Sequence, residues 1–563
     1  MAILGRMVAA DPAPTIAPSR IGLETAVERI LATLDAEQRA AATLPDGPAQ
    51  IIAPAGSGKT TTMVARLAVL LARGVAPESI CVVTFNREAA ADLADRVARR
   101  LGPLVPDATR IEIRTLHALS LRILQDAGDR RELVADRLPL LRAARRRVAT
   151  AVPIDVLPDP GTLDGWLSAA KVEGRPIPDA GQAAIAAYSD LLAARGAIDF
   201  DDLVVLAAQR LGGDPRLRMR WQARFRHVCV DEFQDVDAAQ LRLVELLAAP
   251  EDNLFVVGDD DQTIYAWRLA DVRRILAFGE RHPTARRVML ATNYRCPRVV
   301  VERSAALIAV NRERFVKPIR PPPGVPATHA ITAMAAHTPD WPDHVATLLR
   351  TEAAAGRSAC VLARTRTELV PVMLALVRAG VPHRYPAPAI VESASVLAIL
   401  DAARRWSAGD ARHPFHVLRA ARAALGWDRG QPSGDLLADE EHAAIDALLG
   451  WSVAFRALPP FLAAFDAMRE RLAALRDPTS LVELATAHGA KGREWQTVVV
   501  IGFEDGRMPN ARSLADAEDP GRALEEERRL AYVALTRATR RLVLAFDPQR
   551  PSPFLADMEL GAR

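Results

Sequence analysis

The chain has 563 residues, half of them hydrophobic and a quarter charged, with a formal net charge of +3. That length exceeds a single hydrophobic core, the balance excludes a fibrous or disordered chain, and so small a charge confines any nucleic-acid surface to a local groove. No apolar run is long enough to span a bilayer, and Met1 to Ala10 lacks the basic-then-apolar order of a secretory signal, so a cytoplasmic protein without a membrane partner is expected.

In chain order, residues 1–20 carry Pro and Ala without periodicity and read as a disordered tail. A helix-like stretch then leads into the apolar run Ala49-Gln50-Ile51-Ile52, a glycine loop, and residues 60–73 with apolar side chains at helical spacing. Strand, loop and helix follow one another there. Short apolar runs ending in polar residues recur at 80–84, 228–230, 254–257, 288–291, 359–363 and 497–501. Separated by helical segments, they predict an α/β fold of parallel sheets covered on both faces, with ligands at the carboxyl ends of strands. Two helix-rich, Arg/Ala-heavy stretches, 118–196 and 396–476, read as helical insertions into two such cores. The Pro-rich segment 317–323 reads as a stiff surface connection.

Cys81, Cys229, Cys296 and Cys360 are far apart without CxxC spacing, which points to buried apolar cysteines and away from a zinc site or disulfide framework. Basic residues are almost all Arg; the lysines are Lys59, Lys171, Lys317 and Lys491. Lysines retained in so Arg-rich a chain are informative, and two of them sit inside motifs.

Ala53-Pro54-Ala55-Gly56-Ser57-Gly58-Lys59-Thr60, followed by Thr61, matches the phosphate-binding loop except that Ala53 stands at its first glycine. Gly56 and Gly58 let backbone N–H groups turn toward phosphate oxygens, the following helix points its positive end at them, and Lys59 supplies a charge to the β- and γ-phosphates. The Thr60 hydroxyl and Asp231, at the end of an apolar strand, are candidate ligands for Mg2+. Glu232 beside it is the candidate general base for the attacking water. An acidic pair alone is more often a solvated loop end; it gains weight here from the phosphate loop.

Once these motifs are placed, residues 34–545 resemble, in order, a superfamily 1 (1A) DNA helicase of the UvrD/Rep/PcrA type. Gln38, in Leu34-Asp35-Ala36-Glu37-Gln38, is similar to the glutamine that reads adenine through donor and acceptor. The run from Val256 through Gly258-Asp259-Asp260-Asp261-Gln262 to Tyr265-Ala266-Trp267-Arg268 resembles the motif whose glutamine senses the γ-phosphate and whose aromatics stack on bases. Asn293-Tyr294-Arg295 resembles the segment in which tyrosine stacks on adenine and arginine reaches the γ-phosphate. Arg537, closing the stretch that starts at Glu526, is similar to the second arginine finger, and Glu494 to a residue approaching ribose or phosphates.

The resemblance also implies DNA contacts at Phe85, His117, Tyr265, Trp267, Arg364, Thr486 and His488. Departures weaken parts of it: Glu88 stands at a usual lysine, Gly489 at a usual serine and Arg493 at a usual leucine. Without the surrounding match, Tyr265 and Trp267 would read as core packing and Arg537 as a surface arginine.

The resemblance implies two RecA-like cores: 1A at 21–117 and 197–288 with insertion 1B at 118–196, and 2A at 289–395 and 477–563 with a reduced 2B-like insertion at 396–476. It implies an ATP- and Mg2+-dependent 3′-to-5′ helicase or translocase, an isomerase-class enzyme acting on single-stranded and 3′-tailed duplex DNA in repair or replication. The expected state is a monomer or weak dimer, with its loading protein unnamed. The alternatives are a translocase that strips proteins without unwinding and a DNA-binding assembly component with a vestigial ATPase. No run resembles a nuclease site, and no nuclease tail is expected after the last motif.

Overall fold

The structure is a computed structural model describing residues 20–150, 156–326, 329–385, 392–406, 412–425, 427 and 436–560. The expected tail lies outside these except for its last residue. Strands β1 (Ala49–Ile52), β2 (Ile80–Thr84), β3 (Glu112–Thr115), β6 (His227–Val230), β7 (Leu254–Gly258) and β8 (Arg286–Met289) form a parallel sheet in the order β3-β2-β6-β7-β1-β8. A second parallel sheet combines β9 (Ile331–Ala335), β10 (Ala359–Ala363), β11 (Val482–Thr486), β12 (Trp495–Ile501) and β13 (Ala538–Phe546) in the order β11-β10-β12-β13-β9. Strands β4 (Glu132–Val134) and β5 (Ala197–Asp199) form a small parallel pair.

The central strands are buried along their whole length because helices cover both faces, and their period-two alternation divides each between two cores. In the first sheet, Val228, Val230, Leu254 and Val256 pack on one face, whereas Cys229, Phe255 and Val257 pack on the other. Val498 and Val500 are separated from Val499 and Ile501 in the same way. Burying each such side chain stabilises by about 1.5–3 kcal/mol, so both helical layers are needed. The four cysteines are free and buried within these layers.

The first helical interruption contains helices Leu138–Val148, Pro160–Glu173 and Asp179–Ala194 around Leu141, Leu163 and Tyr188. The second contains Ala394–Trp406, Pro414–Ala424, Leu436–Ser452 and Leu458–Leu475 around Ile399, Phe461 and Phe465. The chain is thus α/β, with two parallel-sheet cores of the RecA-like type and a helical insertion in each. Among the described residues no helix is long and apolar enough to cross a membrane.

Two expectations need correction. Strand β8 begins two residues before the expected run at 288, although pairing continues past it through the Leu290 N–H to the Ile52 carbonyl at 2.8 Å. The segment expected as a surface connection begins with a buried residue: the Lys317 side chain is 1% exposed, drawn inward by three aspartates.

Candidate functional site

The order β6-β7-β1 brings the carboxyl ends of these three strands side by side. The glycine loop follows β1, with Gly56 and Gly58 at φ of +70° and +84°. A Cβ on Gly56 would stand 2.4 Å from Asn293 Oδ1, and one on Gly58 2.5 Å from Gln38 Nε2. Conformation and space both demand glycine at these positions. Ala53 is under no such demand: it is buried, its φ is not left-handed, and its N–H extends the ladder to the Gly258 carbonyl at 2.8 Å.

Within the loop the Ser57 N–H donates to the Pro54 carbonyl at 3.1 Å and Ala55 is buried, so the turn is tight. Lys59 Nζ donates to the Ala53 carbonyl at 3.2 Å, and Thr60 and Thr61 lie half-buried on the first turn of helix Lys59–Ala72. Ser57 Oγ is buried and has no hydrogen-bond partner within the protein. Gln38 closes a capping box with Asp35 and donates from Nε2 to the Ser57 carbonyl at 2.9 Å. One N–H and one acceptor lone pair remain on its amide for a base edge. Tyr294, 51% exposed, donates its hydroxyl to Asp35 Oδ2 at 2.7 Å beside that turn.

After β6, Asp231 Oδ1 accepts the Glu232 N–H at 3.0 Å, and the Glu232 carboxylate accepts from Gln234. Glu232 has φ of +52°, a strained conformation for a residue with a side chain. Burial and the neighbouring Glu232 charge push the Asp231 carboxyl up. At Glu232 burial acts in the same sense, but Lys59 and Lys491 outweigh it and hold the carboxyl down. The two carboxyls interact directly and titrate as a pair.

Past β7, Gln262 donates from Nε2 to Asp259 Oδ2 at 2.6 Å and accepts at Oε1 from Arg537 Nη2 at 3.0 Å. Arg537 is 1% exposed, and its other contacts are carbonyls: Val533 at 2.9 Å and Arg493 at 3.3 Å. Burial, reinforced by Arg295, lowers its pKa to about 10. A guanidinium so desolvated gains strongly from an incoming anion. Arg295 instead pairs with Glu494 at 2.6 Å.

Lys491 was not among the expected site residues, although its retention in an Arg-rich chain signalled it. Its Nζ bonds Asp235 Oδ2 at 2.5 Å and the Gln262 carbonyl at 2.6 Å, and lies 5.2 Å from the centre of the Tyr265 ring.

The aromatic face adjoins this cluster. Phe85 and Tyr265 stack with centroids 4.9 Å apart and planes 14° from parallel, so nothing enters between them unless they part. Trp267 is 56% exposed, its ring 6.2 Å from Tyr265 and covered on one side by Arg268. His117 meets Phe200 edge-on at 5.7 Å. Phe85 and His117 border a void of about 10 Å3 whose other side is Asp231 and Glu232.

A larger cavity of about 250 Å3 is lined by Trp267, Arg364, His488, Asn510, Ser513 and Glu526, with Glu527 at its wall. Arg364 faces it with its charge already matched, since Nε and Nη2 donate to Glu527 at 3.0 and 2.8 Å. Burial, helped by Arg364 and Lys491, pushes the His488 pKa to about 3, so the ring is neutral; its carbonyl accepts the Tyr265 hydroxyl at 3.4 Å. The Thr486 hydroxyl is committed to the Gly489 N–H at 3.2 Å. The loop and acidic residues thus meet Gln262 and Arg537 on one side of the strand ends, with the aromatics beside them.

Residues 34–153 and 167–283 match the model of the UvrD/REP helicase N-terminal domain, and 458–548 match the UvrD-like helicase C-terminal domain. The chain is similar to the ATP-dependent DNA helicase UvrD2 of Mycobacterium tuberculosis (strain ATCC 25618 / H37Rv), 31% identical over 95% of this chain and 82% of the relative. It is also similar to the ATP-dependent DNA helicase PcrA of Leuconostoc citreum, 28% identical over 94% and 85%. Against the putative ATP-dependent DNA helicase YjcD of Bacillus subtilis (strain 168) it is 27% identical over 97% and 85%.

Proposed function

Because the chain belongs to the UvrD/REP helicase family and is an ATP-dependent DNA helicase of that type, we propose that it steps 3′ to 5′ along single-stranded DNA and separates 3′-tailed duplexes in repair or replication. The observation that carries the coupling of two cores is the contact between Gln262, past β7 of the first sheet, and Arg537, just before β13 of the second, while the 3′-to-5′ sense comes from the family resemblance alone. That contact makes one phosphate-sensing site out of two cores.

On this reading Gly56, Gly58, Lys59 and Ser57 cradle the triphosphate, Gln38 and Tyr294 hold the adenine, and Glu494 approaches the ribose once Arg295 turns to the γ-phosphate. Glu232 accepts the proton of the attacking water. Arg295 and Arg537 neutralise charge on the transferring group, an effect of about 10³-fold or more in related sites. Thr60 and Asp231 are the residues that fit Mg2+, which supplies further charge neutralisation when bound. Closure of the cleft moves the aromatic face of Phe85, Tyr265 and Trp267, which belongs to the first core, relative to the second core, and a base stacked there steps by about one nucleotide per cycle. Stacking and phosphate contacts read no sequence, so binding is sequence-tolerant.

The test is DNA-stimulated ATPase and unwinding of 3′- against 5′-tailed duplexes by the parent, Lys59→Ala and Glu232→Gln. Undiminished turnover in either variant sinks the site assignment, and preference for a 5′ tail sinks the polarity. ATP-driven release of a bound protein without strand separation selects the stripping translocase.

A further inference from the structure

Residues 311–317 form a strap fastened at both ends. At its start Asn311 donates from Nδ2 to the Glu525 carbonyl at 2.9 Å and accepts at Oδ1 from Arg528 Nη1 at 2.8 Å. The N–H groups of Arg312 and Glu313 donate to the Glu525 carboxylate at 2.9 and 3.2 Å. Glu525 and Arg528 sit on helix Pro520–Leu535, which ends two residues before Arg537.

At its other end the strap grips the Asp259-Asp260-Asp261 turn. Arg314 forks onto Asp261 with two bonds of 2.8 Å, and the Phe315 N–H donates to Asp260 Oδ2 at 2.8 Å. Lys317 Nζ bonds Asp260 and stands 3.3 Å from Asp259 and 2.8 Å from Asp261. The three carboxylates are fully buried and the ammonium nearly so. Charges this deep are costly without their partners, so the cluster does not come apart as the cleft cycles. Across the cleft the Tyr294–Asp35 contact is easier to exchange for water, Tyr294 being 51% exposed, and the buried Lys491 balances one carboxylate, Asp235, against the three gathered at Lys317.

The cluster reaches the sensor in one step, since Asp259 Oδ2 accepts the Gln262 amide at 2.6 Å. A closed circuit runs from the strap through Asp259, Gln262 and Arg537 along the helix and back to Asn311. We infer that Lys317 is a positioning residue: through Asp259 it fixes the Gln262 side chain, and its buried cluster is the pivot on which the two cores turn.

The inference rests on the reading of Gln262 as phosphate sensor, and two measurements separate them. In the parent protein, hydrogen exchange at the Phe315 amide is expected to stay slow with and without a non-hydrolysable ATP analogue; fast exchange when the analogue is removed overturns the pivot. In the charge-balanced variant Lys317→Met/Asp260→Asn, the analogue's effect on oligo-dT affinity is expected to shrink at least about fivefold, a typical allosteric coupling. A folded variant with the parent's ratio overturns the positioning role. Lys317→Arg, which keeps the charge, is expected to recover most of the ratio, and failure to do so in a folded protein also counts against it. Gln262→Ala keeping the parent's ratio removes the sensor reading, while Phe315 exchange still decides the pivot.

Discussion

Arg537 Nη2 stands 3.0 Å from Gln262 Oε1, joining a side chain that precedes β13 to one that follows β7. Each orients the other, so their losses overlap. Arg537→Ala and Gln262→Ala are each expected to lower DNA-stimulated kcat by about 10²- to 10³-fold, and the double variant by no more than about threefold beyond the worse single. Steady-state ATPase at saturating DNA measures this; fully additive losses mean that the two act separately.

Trp267 presents an open ring face, whereas Tyr265 is stacked on Phe85. Trp267→Ala is expected to weaken single-strand binding by about 1–3 kcal/mol, equally for oligo-dT, oligo-dA and mixed sequences. Tyr265→Ala should in addition destabilise the fold, by about 0.5–1.5 kcal/mol for the lost stack on top of the buried area given up. Fluorescence anisotropy and urea melts report the two effects, and a Trp267 deficit confined to one base composition rules out a stacking role.

Leu269 has φ of +64° at the end of the turn carrying Trp267, where a Cβ is strained. Leu269→Gly is expected to gain up to about 1 kcal/mol in urea denaturation, relief of strain exceeding the lost contacts of a half-buried side chain. A destabilised variant shows that leucine packing outweighs the backbone.

Burial lowers the His383 pKa, with Arg476 adding to it and the Val381 carbonyl opposing. The folded state therefore holds this ring neutral while the unfolded chain protonates it below about pH 6.5, so its contribution is full above that value and lost as pH falls. On lowering the pH from 7.5 to 5.5, the parent is expected to lose more melting temperature than His383→Gln. Parallel thermal melts at constant ionic strength check it, and an equal loss removes His383 from the account.

Strands β2 and β10 were legible to their ends because they lie inside their sheets, are buried throughout and run apolar between Ser79 and Thr84 and between Ser358 and Arg364. Strand β3, Glu-Ile-Arg-Thr at a sheet edge, carries no such run, and β13 opens with Ala-Thr-Arg-Arg, which hides how early the strand that ends in Leu-Val-Leu-Ala-Phe begins. The phosphate loop and the Asp231-Glu232 pair were equally plain, since local spacing writes them. What spacing cannot write is partnership across hundreds of residues. That Lys317 lies under three aspartates and that Lys491 reaches Asp235 follow from the meeting of two sheets, and that Glu527 neutralises Arg364 follows from the packing of a late helix on the second one.

Gly56 has a roof. The Tyr294 N–H donates to its carbonyl at 2.9 Å, Asn293 leaves no room for a Cβ above it, and the Tyr294 hydroxyl is tied to Asp35. On the proposed function, spent nucleotide seated on the loop leaves only as that roof lifts, so discharge of ADP and the opening stroke are expected to be a single event. A variant slow to open would stall with product bound, and its turnover would follow the exit of ADP instead of bond cleavage.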